Sequence, residues 1–244
     1  MLAVHLTIRH HEDVGQADAI DEAARAVALL DAQAKAEQLF EAATPLVVPG
    51  RSEGQVSDSV RDLAADLFGV DRHWHKRIVR SGPNTLHPYA VNPPNRVIED
   101  DDIVFFDFGP IFQEWEADFG RTFVVGDDPA KLRLCDALPV AFAAGRRYFE
   151  DSPDITGAQL HAFVDSLART AGFDLGGDHA GHLVGEFPHE RISGDDVLVY
   201  ISPRNPTPMR GLDPAGRLRH WILEIHFVDR DRGFGGFHEQ LLTL

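Results

Sequence analysis

Ile20, Ala24, Val27, Leu30 and Ala34 recur at helical spacing through a stretch rich in Ala, Leu, Glu and Gln, which predicts one long amphipathic helix from Gly15 to Ala43. After the break at Pro45–Gly50, Ser52 and Gln55 form a Ser-x-x-Gln capping pattern ahead of Val56, Val60, Leu63 and Leu67, and predict a second helix ending near Gly69. β-Branched and aromatic residues mark strands at Arg77–Ser81, Ile103–Phe108 and Thr122–Val125, with the Asn92-Pro93-Pro94-Asn95 cluster as a loop between the first two. Asp128 and Pro129 suit the start of a helix over Asp127–Glu150, in which Pro139 predicts a kink. Thr156 with Gln159 caps a further helix to Ala171. Strands are expected near Val197–Ile201, Trp221–Val228 and Phe237–Leu242. Helices in the first and middle parts, with hairpin-like strands between and after them, predict α+β packing.

The 244 residues are 43% hydrophobic, enough for the core of one domain, taken as residues 15–244 behind an N-terminal segment 1–14. The formal charge of −16 repels nucleic acid and anionic membrane, and favours a cationic substrate or metal ion, although a solvated acidic surface accounts for it as well. Cys135 is the single cysteine, which suits a reducing compartment; it sits in a predicted helix as a small apolar residue. Neither a signal peptide nor a membrane-spanning run is apparent, so the cytoplasm is the expected location.

The most informative segment runs from Phe105 to Thr122. Asp107 ends an apolar strand, where an unpaired carboxylate is costly to desolvate. A chain reversal between Phe112 and Gln113 would set Asp107 opposite Asp118, and like charges so placed need a cation between them. Arg121 and a divalent metal pair are equal candidates for that cation. His179, His182 and His189 crowd a Gly-rich stretch, which a solvated polar loop would also explain. Glu224 and Glu239 then stand inside otherwise apolar C-terminal strands. His73, Trp74 and His75 precede a predicted strand, where packing in the core or on the surface is the ordinary reading and lining a pocket the other. The Glu99–Asp102 run reads as a solvated turn.

Taken in chain order, these residues resemble the pita-bread metallopeptidases, which include methionine aminopeptidase, aminopeptidase P and prolidase, with metal-free creatinase as a relative. Asp107-Phe108-Gly109, Asp118-Phe119-Gly120-Arg121-Thr122 and Gly181-His182-Leu183-Val184-Gly185 match its motifs, and Asp107, Asp118, His182, Glu224 and Glu239 match its five metal ligands. His189, seven positions after His182, and His87, in the segment Ser81–His87, match its active-site histidines. His179 is off the family spacing by one position and reads as structural. Glu224-Ile225-His226 departs from the usual Glu-Pro, so substrate preference transfers less readily than the metal site.

The resemblance implies the pita-bread fold, a curved antiparallel sheet covered by helices. It implies two divalent ions (manganese, cobalt, iron or zinc), bridged by Asp118 and Glu239, with Asp107 on one ion and His182 with Glu224 on the other. The implied reaction is hydrolysis of an N-terminal peptide bond, Xaa-Pro bonds included, by a metal-bridged hydroxide with Glu224 as general base, and with His87 and His189 stabilising the oxyanion. The implied partner is a short peptide, and a homodimer is an allowed assembly. The competing readings are a creatinase-like, metal-free C–N hydrolase and a non-catalytic binding module of the same fold.

Overall fold

The computed structural model describes residues 14–184, 197–213 and 216–244. Four helices and nine strands are built from them: α1 Val14–Ala43, α2 Glu53–Phe68, β1 Ile78–Ser81, β2 Ile103–Phe108, β3 Ile111–Phe112, β4 Trp115–Glu116, β5 Phe119–Val124, α3 Pro129–Asp151, α4 Gly157–Ala171, β6 Asp174–Leu175, β7 Leu183–Val184, β8 His220–Asp229 and β9 Phe234–Leu241. Among the described residues no helix is long and apolar enough to cross a membrane.

The helix starts follow from local chemistry. Ser52 and Thr156 each accept a bond from the backbone three residues on, while Gln55 and Gln159 bond back, so α2 and α4 both open on a capping box. Asp128 accepts from the Ala130 amide at the start of α3, which runs unbroken through Pro139. Gly69, in the left-handed region, ends α2.

The strands form an antiparallel sheet in the order β1-β2-β5-β9-β8-β6, with β7 paired to β8. Because side chains alternate across a strand, the sheet has two unlike faces. Val104, Phe106 and Phe108 pack under α1 and α2, and Leu223, Ile225 and Phe227 pack under α3 and α4. The residues between them, Phe105 and Asp107 on β2 and Glu224 and His226 on β8, point to the other face. This alternation decides where the carboxylates go.

Several expectations are corrected. The buried stripe of α1 is Leu29, Ala32, Ala36, Leu39, Phe40 and Ala43, and the expected apolar positions Ala24, Val27, Leu30 and Ala34 are exposed, because the helix turns the other side to α2 and the sheet. The reversal after β2 lies between Gln113 and Glu114, since Phe112 pairs with Trp115 and Ile111 with Glu116; Gln113 takes the turn at φ 61. Asp107 therefore pairs with Gly120, and Asp118 stands two residues before that partner. The expected strand at 197–201 is instead a 3-10 turn, Val197–Val199, followed by a single bridge from Tyr200 to His182. Its pairing partner is the glycine loop at 180–182, with Ala180 N–H donating to Ile201 O and Ile201 N–H to Gly181 O. A ladder cannot extend along that loop.

Candidate metal centre

The sheet register assembles three of the charges. Asp107 pairs with Gly120, Gly120 with Glu239, and Glu239 with Glu224, so one cross-strand row carries Asp107, Glu239 and Glu224 on the face away from the helices. A Cβ on Gly120 would lie 2.4 Å from the Phe237 ring and 3.1 Å from Glu239 Cβ. Glycine is required there, because the row closes over it.

His182 is brought to this row by backbone bonds. Glu224 N–H donates to Ala180 O at 3.0 Å and Ile222 N–H to His182 O at 2.8 Å, which zips residues 180–182 along β8. Its ring lies 3.0 Å from Asp118 Oδ2 and 3.7 Å from Glu224 Oε1. Asp118, His182 and Glu239 each offer one donor atom within 4.8 Å of the others, and so do His75, Asp107 and Asp118. All five residues expected as metal ligands therefore converge on one cavity.

That cavity, of about 550 Å³, is also lined by His87, His179 and Arg80, with Trp74, Tyr89, Phe105, Tyr200 and Phe237 as apolar walls. His87 follows the 3-10 turn Gly82–Leu86. That turn is held by the buried Glu53, whose carboxylate accepts from Ser81 N–H at 2.6 Å and from Asn84 Nδ2 at 3.0 Å. His189 lies outside the described residues.

Three residues behave differently from their sequence reading. Arg121 donates to the carbonyls of Gly120 and Glu239 and to Gln240, with its guanidinium over the Phe119 ring, so it does not balance the two aspartates. His179 reaches the site, with Nδ1 3.6 Å from Glu224 Oε2. His75 sits between the two aspartates, with Nε2 3.4 Å from Asp107 Oδ1 and 3.1 Å from Asp118 Oδ1. The one signal for His75 in the sequence was its place just before β1. The contact itself depends on how residues 72–76 dock against Gly109–Ile111.

The electrostatics are those of carboxylates that lack sufficient positive charge. Burial works against protonating His75 and His182, yet the facing carboxylates outweigh it and push them up to about 9 and about 10. Burial, opposed by His75 and reinforced by Asp118 and Glu224, moves Asp107 up to about 7. Burial, with Asp118, Glu224 and Asp107 as neighbours, raises Glu239 well above the usual carboxylate range. Asp118 is held well below that range, because its two imidazole partners overcome the burial that would raise it. Among the described residues, Glu239 Oε2 is buried with no hydrogen-bond partner. A buried orphan carboxylate oxygen is expensive unless a cation meets it. Two divalent ions would cancel the four carboxylates and satisfy that oxygen, so the donor set fits a dinuclear centre of hard or borderline metal.

One stability consequence concerns His226, beside the site on β8. Burial pushes it down to about 4, although its Nε2–H donates to Thr85 O at 2.9 Å. Between about pH 6.5 and pH 4 the unfolded chain binds a proton that the folded chain refuses, so stability falls as pH drops through that window, by up to about 3 kcal/mol for this group. His73 and His238 are also pushed down by burial. His226→Phe is therefore expected to remove part of the loss between pH 7 and pH 4.5 in denaturant melts; an unchanged loss would contradict the assignment.

Comparison with known proteins bears on the family and the fold. The model of metallopeptidase family M24 matches residues 27–211. An Xaa-Pro dipeptidase of Pyrococcus horikoshii is 28% identical over 168 residues, which cover 67% of this chain and 47% of that protein. A methionine aminopeptidase of Staphylococcus epidermidis is 30% identical over 120 residues, covering 48% of this chain and 46% of its own. The chain thus spans about half the length of the curated relatives it matches. The crystal structure of a prolidase from Thermococcus sibiricus superposes with a TM-score of 0.70 at 22% identity, over 92% of this chain and 59% of that one. The fold is the pita-bread fold, and the chain belongs to metallopeptidase family M24.

Proposed function

We propose that this chain is a metal-dependent hydrolase of the N-terminal bond of short peptides, an aminopeptidase or dipeptidase whose substrates include Xaa-Pro. The observation that carries this reading is the convergence of Asp107, Asp118, His182, Glu224 and Glu239 on one cavity, with a buried carboxylate oxygen left for a cation. The names of the relatives, Xaa-Pro dipeptidase and methionine aminopeptidase, support it.

Asp107, Asp118, His182, Glu224 and Glu239 would hold the two ions. The chemistry such ions supply when bound is Lewis acidity, which polarises the scissile carbonyl and acidifies water. Glu224 takes the proton from the attacking water and delivers it to the leaving amine nitrogen. His179 stands 3.6 Å from Glu224, beyond hydrogen-bond distance, and adds an imidazole to that side of the cavity. His87, on the cavity wall, donates to the carbonyl oxygen as it gains charge, a contribution often worth several kcal/mol. His189 is assigned the same role by its motif position.

Substrate length follows from the ends of the cavity. Arg80 lies two residues along β1 from Ile78, the partner of Asp107, and lines the same cavity. Its guanidinium donates to the carbonyls of His87 and Val91. A free peptide carboxylate a short distance from the scissile bond would meet this cation, which favours dipeptides. Manganese, cobalt, iron or zinc as the ion, the cytoplasm as location and a homodimer as assembly belong to the same proposal.

Activity on a panel of dipeptides and their C-terminal amides is expected to vanish on dialysis against chelator and to return with a divalent ion, with free dipeptides preferred over amides. A metal-loaded protein that cleaves nothing in the panel would favour a binding module of the same fold.

A further inference from the structure

We propose that His75 is a sixth protein ligand of the metal centre, supplying an imidazole to the ion at Asp107 as His182 does for the other ion. This rests on the metal reading above and adds a residue that the five-residue family pattern does not contain.

The two histidines occupy matching positions about Asp118. His75 Nδ1 lies 2.6 Å from the carbonyl of Lys76, and His182 Nδ1 lies 2.8 Å from the carbonyl of Leu183. A carbonyl only accepts, so Nδ1 is the protonated nitrogen in both rings, and Nε2 faces the carboxylates in both. A backbone carbonyl that fixes the tautomer and frees the other nitrogen is the usual support for a metal-binding histidine. His75 Nε2 stands 3.1 Å from one oxygen of Asp118, and His182 Nε2 stands 3.0 Å from the other. The third distance, 3.4 Å from His75 Nε2 to Asp107 Oδ1, completes a three-donor set with Asp107 and Asp118. Donor atoms bound about 2.0–2.2 Å from a common ion are themselves about 3–3.5 Å apart, which is the range observed.

The position of His75 is built into the backbone. Trp74 N–H donates to Gly109 O at 3.0 Å and Ile111 N–H to Arg72 O at 3.1 Å, so residues 72–76 are clamped onto the chain just after Asp107. A Cβ on Gly109 would lie 2.2 Å from Trp74 Nε1 and 2.5 Å from His75 Cδ2. Glycine there clears the space that these two rings enter. Trp74 then packs edge-on against both imidazoles, with ring centroids 4.6 Å from His75 and 5.5 Å from His182. The His75 side chain is only 5% exposed.

The chemical consequence is a centre in which each ion has one nitrogen donor among its carboxylate oxygens. Such a set favours zinc or cobalt over manganese more strongly than one nitrogen shared by two ions.

The test uses metal-depleted full chain, with zinc binding followed by equilibrium dialysis with elemental analysis, and with ¹⁵N-histidine side-chain spectra assigned for His75 and His182 by through-bond correlation in wild type. Wild type is expected to take two equivalents, with the Nε2 resonances of both His75 and His182 shifting. His75→Phe is expected to bind one equivalent normally and the other more weakly than the 10–100-fold that loss of an outer-shell partner costs. His75→Asp, which restores an oxygen donor, should recover the second equivalent. The spectrum of wild type needs no variant to fold. Two equivalents of unchanged affinity in His75→Phe, or a zinc shift at His182 without one at His75, would overturn the sixth ligand while leaving the metal reading intact. Wild type that takes up no divalent ion would overturn both.

Discussion

Asp118→Asn is expected to cost about 1000-fold or more in kcat/KM, which corresponds to about 4 kcal/mol of transition-state stabilisation, together with at least one equivalent of bound metal. The reason is position. Asp118 is buried, and its two oxygens face different imidazoles, His75 at 3.1 Å and His182 at 3.0 Å. Asparagine keeps the shape, removes the charge and replaces one acceptor oxygen by an NH₂ group, so one side of the pair loses its partner. The protonated forms of His75 and His182 also lose the carboxylate that stabilises them. Elemental analysis beside peptide hydrolysis checks the outcome. A variant that keeps two ions and activity within tenfold of wild type would remove Asp118 from the metal centre.

Gly181→Ala is expected to be the most damaging small substitution, costing about 3 kcal/mol or more, or about 6–12 °C in Tm for a chain of this size. Gly181 has φ +132, and a Cβ there would lie 2.1 Å from the carbonyl oxygen of Ile222, a backbone atom that cannot step aside. The same segment carries His182, so metal binding should weaken with stability. Gly69→Ala separates backbone conformation from collision. Gly69 also has positive φ, but nothing lies within 4 Å of its Cβ direction, and its cost should be near 1 kcal/mol. Thermal melts of the two variants side by side test this; equal losses would show that the contact with Ile222 is unimportant.

The elements legible in the sequence share a physical character. The starts of α2 and α4 are written in residues three apart, Ser52 with Gln55 and Thr156 with Gln159, and the bonds that cap them span the same three residues. β2 was readable to the residue because a run of Ile, Val and Phe covered on both faces has few other places to go. The stretch at 197–201 looked similar, but its partner is a loop held open by Gly181 rather than a strand, and no pattern within the stretch records that. The turn after β2 was misplaced by one residue, because the chain places a non-glycine residue, Gln113, at positive φ there.

By itself, the order of Asp107, Asp118, His182, Glu224 and Glu239 along the chain, with the motifs around them, carried the resemblance to the family and its fold, because side chains that offer metal-binding oxygen and nitrogen stand out in otherwise apolar strands and glycine-rich turns. Only the tertiary structure decided which other groups meet them. Arg121 turns away to backbone carbonyls, His179 comes within 3.6 Å of Glu224, and His75 enters between two aspartates that lie 32 and 43 positions further on. Such contacts are set by strand register and by where a glycine leaves room, as Gly109 does for Trp74 and His75. They depend on distances between segments far apart in the chain, which no local pattern encodes.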